Sequence, residues 1–107
     1  MRKTMQWVPV LAAAVIVTSA LCFAENSGEA VYKAKCFKCH GETGMAETSM
    51  GKALKVKPAT DPTVKKMSLK EMIEATRNGM GKMQPYKDTL TEGEIKSSTE
   101  YFRAFVK

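Results

Sequence analysis

Apolar residues along this 107-residue chain fall into one unbroken run near the start and helix-spaced sets thereafter. The unbroken run, roughly Val8 to Leu21, follows a charged start at Arg2 and Lys3 and leads into Cys22-Phe23-Ala24. A basic start, a short apolar stretch and a small residue behind it mark a secretory signal peptide, cleaved after Ala24. The run is about 14 residues long, short of the ~20 that a spanning helix needs. A lipid on Cys22 would call for a small residue at position 21, where Leu21 stands. The expectation is export to the periplasm, with residues 1–24 removed and no stable membrane insertion afterwards.

The remaining 25–107 are expected to form a single domain. Ser27 can cap a first helix that runs toward Cys36. Residues 41–66 carry Gly, Pro and Thr with no sustained period, which predicts a long loop with a short helix near Met50 to Lys55. A loop of that length in a compact domain is expected to wrap something. Ser68-Leu69-Lys70-Glu71 reads as a capping box. The helix it opens carries Leu69, Met72, Ile73 and Thr76 at i, i+3, i+4 and i+7, and Gly79 is placed to stop it. Thr91-Glu92-Gly93-Glu94 repeats the capping pattern ahead of a last helix with Ile95, Phe102, Phe105 and Val106 on one side. No segment alternates like a strand, so the fold class is all-α.

Chemistry enters at Cys36-Phe37-Lys38-Cys39-His40, a C-x-x-C-H run, the pattern for covalent attachment of a c-type haem. Two thiols at this spacing can form thioethers to the haem vinyl groups, and the following imidazole can reach the iron as proximal ligand. Cys36 and His40, four apart, share a helix face. A structural zinc site wants four ligands, but the whole chain holds three cysteines and one histidine. A thioredoxin-like pair needs a strand–helix–strand context that the flanks lack, and a plain disulfide leaves His40 unexplained. One haem c is therefore the expected cofactor, and its covalent hold would staple a domain too small to bury a large core.

The sixth iron ligand narrows by elimination. With His40 the sole histidine, a second imidazole is excluded, and a methionine thioether is the strong candidate. Met45, Met50, Met67, Met72, Met80 and Met83 compete, and most of them should be packing residues. Met80 and Met83 lie in Gly79-Met80-Gly81-Lys82-Met83-Gln84-Pro85-Tyr86, a glycine-freed and proline-stiffened stretch suited to holding a sulfur over a ring. The residues alone do not separate the two.

The chain resembles the small bacterial monohaem class I c-type cytochromes over essentially all of 27–107. Gly28, Val31 and Tyr32 stand ahead of the attachment motif as in that family. Lys82-Met83-Gln84-Pro85-Tyr86 resembles its methionine loop, and Tyr101-Phe102-Arg103 its C-terminal aromatic stretch. The resemblance implies a cytochrome c fold of three to five helices wrapped around one haem. It implies Met83 as the distal ligand and Gly28 as the point where the first and last helices cross. Gln84 stands where the family usually has proline, which leaves Met80 as runner-up. The family also implies a proline carbonyl bonded to the proximal imidazole, with Pro58 and Pro62 as candidates.

An iron held by His40 and Met83 has no open position, so the expected function is one-electron transfer between redox partners, not catalysis. A sensor or peroxidase-like enzyme would need a polar distal group, and there is no second histidine to supply one. The other alternative is a haem-bearing subunit of a larger respiratory or dehydrogenase complex. Without residues 1–24 the chain keeps 15 basic and 11 acidic residues, a formal charge of +4. That balance suits a monomer docking transiently at its haem edge on acidic redox proteins. Dispersed lysines without interleaved aromatics argue against nucleic acid.

If the haem is the staple, the chain lacking it should be poorly folded. A Cys36→Ser/Cys39→Ser variant prepared without haem is expected to show weak helical circular dichroism and no cooperative melt. A sharp cooperative transition would contradict this.

Overall fold

The computed structural model describes residues 27–107. The expected signal peptide, its cleavage site and Cys22 lie outside the described residues. Helices dominate: α1 Gly28–Val31, a π-helical turn Tyr32–Cys36, α2 Phe37–His40, α3 Ser49–Ala53, α4 Pro62–Lys65, α5 Leu69–Asn78 and α6 Glu92–Arg103. The first three segments follow one another without a break, so the chain has five helical stretches among the described residues. None of the described helices is long and apolar enough to cross a membrane.

The helix starts are fixed by local chemistry. Ser27 accepts from the Ala30 amide at 3.2 Å. Asp61 caps α4 with Pro62 at its first position, where a missing amide proton is harmless. Ser68 with Glu71 and Thr91 with Glu94 both close as capping boxes. Each such cap is worth about 1 kcal/mol. Gly79, at φ +81°, ends α5. The orphan carbonyls of its last turn are then met by the returning chain: the Tyr86 and Lys87 amides donate to Thr76 and Arg77 at 3.0 and 3.2 Å.

The stretch expected to be a long loop holds two short helices, α3 and α4. The first lies close to its anticipated place. The second was hidden because a single turn with only Val64 apolar leaves no periodic signal. Between α2 and α3 the chain folds back on itself. The Ala46 amide donates to the His40 carbonyl at 2.8 Å and that of Ala59 to the Gly44 carbonyl at 2.7 Å.

The first and last helices cross where both are thin. A Cβ on Gly28 would overlap the Ser97 carbonyl oxygen and crowd its carbon at 2.6 Å. Glycine here lets α1 lie directly on the α6 backbone. Beside this crossing Val31, Tyr86, Leu90 and Ile95 form the buried apolar cluster, with Ile73 and Met83 packed on it. On the other side Tyr32 is buried among Tyr101, Phe102 and Phe105, at ring centroid separations of 5.1, 6.4 and 5.9 Å. Its hydroxyl donates to the Gly41 carbonyl at 2.6 Å, which satisfies the polar atom of this buried ring. Arg77 and Glu92 tie the end of α5 to the start of α6 through a forked ion pair, 2.7 Å at its closest.

Gly28→Val should force α1 and α6 apart at a point with no slack. The expected cost is about 1–3 kcal/mol in denaturant unfolding of the complete protein. A loss under ~0.5 kcal/mol would mean that the crossing is not fixed by backbone contact.

Candidate functional site

The site begins where the first helix changes pitch. In the π turn the Phe37 amide reaches five residues back to the Tyr32 carbonyl, which widens the helix by one residue just before the attachment motif. Turns of this kind concentrate at functional positions. Cys36 sits at the end of this turn, Cys39 and His40 in the single turn of α2. Gly41, at φ +78°, then turns the chain away. Cys36 and Cys39 are free, partly buried thiols. Burial, with a smaller contribution from Cys39, pushes the Cys36 thiol up to about 11, so it is a neutral S–H at physiological pH. Among the described residues no group of three or more His, Cys, Asp or Glu is placed to hold a metal ion.

His40 packs against Phe102 with ring centroids 4.9 Å apart. Desolvation pulls its pKa below the ordinary histidine value, which keeps the imidazole neutral, the form that ligates metals. Its Nδ1 is buried with no hydrogen-bond partner. The proline-carbonyl contact implied by the family resemblance is therefore not made. The Pro58 carbonyl accepts instead from the Asp61 amide, and that of Pro62 from Lys66.

His40 and Cys36 open on a cavity of about 700 Å³. Leu54, Val56, Val64, Met67 and Phe102 give it an apolar lining, and α4, missed by the sequence pattern, supplies one wall. Met80 and Met83 both border it. They face each other across a tight hairpin, with the Met80 amide to the Met83 carbonyl at 3.1 Å and the reverse bond at 2.9 Å. Gly81 supplies the left-handed residue of this turn at φ +57°. The two sulfurs are set apart by burial: Met80 is 58% exposed, while Met83 is half-buried against the core cluster. Met83 alone of the two also borders a second, smaller cavity of about 280 Å³, together with Cys36, Cys39 and His40.

Sequence reasoning had Thr76 on the inner face of α5, where it is buried. It did not find Thr99, whose hydroxyl lies 3.2 Å from that of Thr76. Each also bonds its own helix, Thr76 to the Met72 carbonyl and Thr99 to that of Ile95. Both line the large cavity. Four-residue spacing from Ile95 was the available signal. The remaining candidates, Met45 and Met50, are exposed at 44% and 50%, and Met67 and Met72 line the cavity from around α5.

Two neighbouring thiols, a neutral imidazole and a large apolar cavity fit a covalently attached haem.

The comparisons agree. The family model described as cytochrome c oxidase, cbb3-type, subunit III matches residues 23–102. Among solved structures, the KustC0563 c-type cytochrome is 31% identical, with a TM-score of 0.68 over 76% of this chain and 99% of that one. A point mutant of the same cytochrome gives 30% identity and a TM-score of 0.65 over 74% and 98%. No curated protein matches. With its C-x-x-C-H helix, its apolar cavity and these likenesses, the chain belongs to the c-type cytochromes, an all-α monohaem protein of haem-based electron transfer whose cofactor is a covalently bound haem c.

Proposed function

We propose that this chain is an exported electron carrier whose haem is held by Cys36 and Cys39 and whose iron lies between His40 and Met83. The observation that carries the reading is that His40 and Met83, from elements 43 positions apart in the chain, border the same two cavities. When bound, the haem supplies an iron that alternates between ferrous and ferric states.

The protein's part is to keep the site the same in both states. Imidazole and thioether are neutral donors, so neither needs to gain or lose a proton when the electron moves. The stacked rings around Tyr32 and Phe102 hold the proximal side, and the Met83 hairpin closes on the buried cluster. An apolar lining of this kind disfavours the added charge of ferric iron and so raises the potential. Lys35, Lys38 and Lys82 border the smaller cavity beside the thiols, and no carboxylate among the described residues does. We assign this face to transient docking on acidic redox partners, where complementary charge raises the encounter rate. The signal-like start of the chain supports export to the periplasm.

A second reading has one observation in its favour. The matching family is described as an oxidase subunit, so the chain could serve as a fixed haem subunit of a larger complex. Size-exclusion of native extract separates the two. The carrier is expected to elute at its own small size, and co-elution with a large assembly would favour the subunit.

Met83→Ala tests the ligand set. Its ferric form should lose the weak far-red methionine–iron band, and its midpoint potential should fall by a sizeable part of the ~0.8 V range that axial ligands command. An intact band in Met83→Ala, with loss in Met80→Ala, would transfer the role to Met80.

A further inference from the structure

Tyr86 stands three residues after Met83 and is only 8% exposed. Its hydroxyl donates to the Lys35 carbonyl at 3.2 Å, and Lys35 is the residue before Cys36, inside the π turn. The Gln84 amide in turn donates to the same hydroxyl at 3.2 Å. The backbone of Tyr86 is fixed as well. Its amide bonds the Thr76 carbonyl, and its carbonyl accepts from the Leu90 amide at 2.9 Å. Its ring belongs to the buried cluster with Val31 and Ile95. One side chain thus spans 51 positions of sequence, from the methionine segment to the attachment helix.

We propose that Tyr86 is the positioning residue of the distal side: its hydroxyl clasps the Met83 segment to the attachment helix and sets how often that segment opens. The inference rests on Met83 as iron ligand. When the segment is closed, the Lys35 carbonyl and the Gln84 amide both use the Tyr86 hydroxyl. When it opens, water takes over those bonds. The hydroxyl therefore favours the closed state by the difference between a part-buried bond and a solvated one. Removing it leaves the part-buried Lys35 carbonyl without this donor only while the segment is closed. The closed state is weakened, while the ring still fills the cluster.

Imidazole binding to the ferric holoprotein reads this equilibrium, because added imidazole can take the iron only when Met83 has left. Tyr86→Phe keeps the ring. It should raise the apparent imidazole affinity about fivefold, the equivalent of one lost net hydrogen bond, with the far-red band still present at zero imidazole. Gln84→Ala leaves the Lys35 bond in place and should raise the affinity by less. Global unfolding in guanidinium is followed in parallel, since a merely structural hydroxyl would shift that midpoint without moving imidazole affinity. Wild-type imidazole affinity in Tyr86→Phe, with the band lost in Met83→Ala, would overturn the clasp and leave the ligand reading standing. A retained band in Met83→Ala would overturn the ligand reading beneath it.

Discussion

Burial of an apolar ring by a chain too short to make a large core is the constraint on which this structure depends. The apolar cluster proper is small, centred on Val31, Tyr86, Leu90 and Ile95. Much of the remaining apolar surface, from Leu54 and Val56 through Val64 and Met67 to Phe102, lines a cavity of about 700 Å³. In such a domain the haem is a core component as much as a redox centre. The backbone crossing at Gly28 and the stacking around Tyr32 bring α1 and the attachment helix against α6. That closure sets the floor on which Cys36, Cys39 and His40 stand.

The same closure serves the chemistry. A carrier works best when its ligands and their surroundings do not rearrange between oxidation states. His40 is held by ring packing against Phe102. The methionine hairpin, closed by two backbone bonds, is braced by Tyr86 against the attachment helix. The two sides are thus joined through protein, the Lys35 carbonyl lying one residue from Cys36. The π turn gives that helix its local pitch. These features join into one pocket short helices that would not be stable alone.

Much of this was legible in the sequence because it is local. The C-x-x-C-H spacing, both capping boxes and the Gly79 stop depend on neighbours within four residues, and each is found where the sequence puts it. The all-α class follows from the same periodicity. What escaped depends on distance in sequence. The α4 turn carries no repeat to detect. Thr99 and Tyr86 look like ordinary polar residues until α6 and the methionine segment have been folded against their partners. The proline contact expected for His40 was carried by likeness alone, and here both proline carbonyls are taken by local turns. The difference in burial between Met80 and Met83 is likewise set by packing against the cluster, which spacing does not encode.

The measurement that bears most directly on the central claim is the visible absorption spectrum of the wild-type protein, oxidised and reduced, with and without carbon monoxide. A covalent haem closed by His40 and a methionine predicts a sharp reduced α-band, a weak far-red band in the ferric form and little change with carbon monoxide. A broad high-spin spectrum that shifts readily with carbon monoxide would contradict the account, since it would mean an open iron position and a chemistry other than electron carriage.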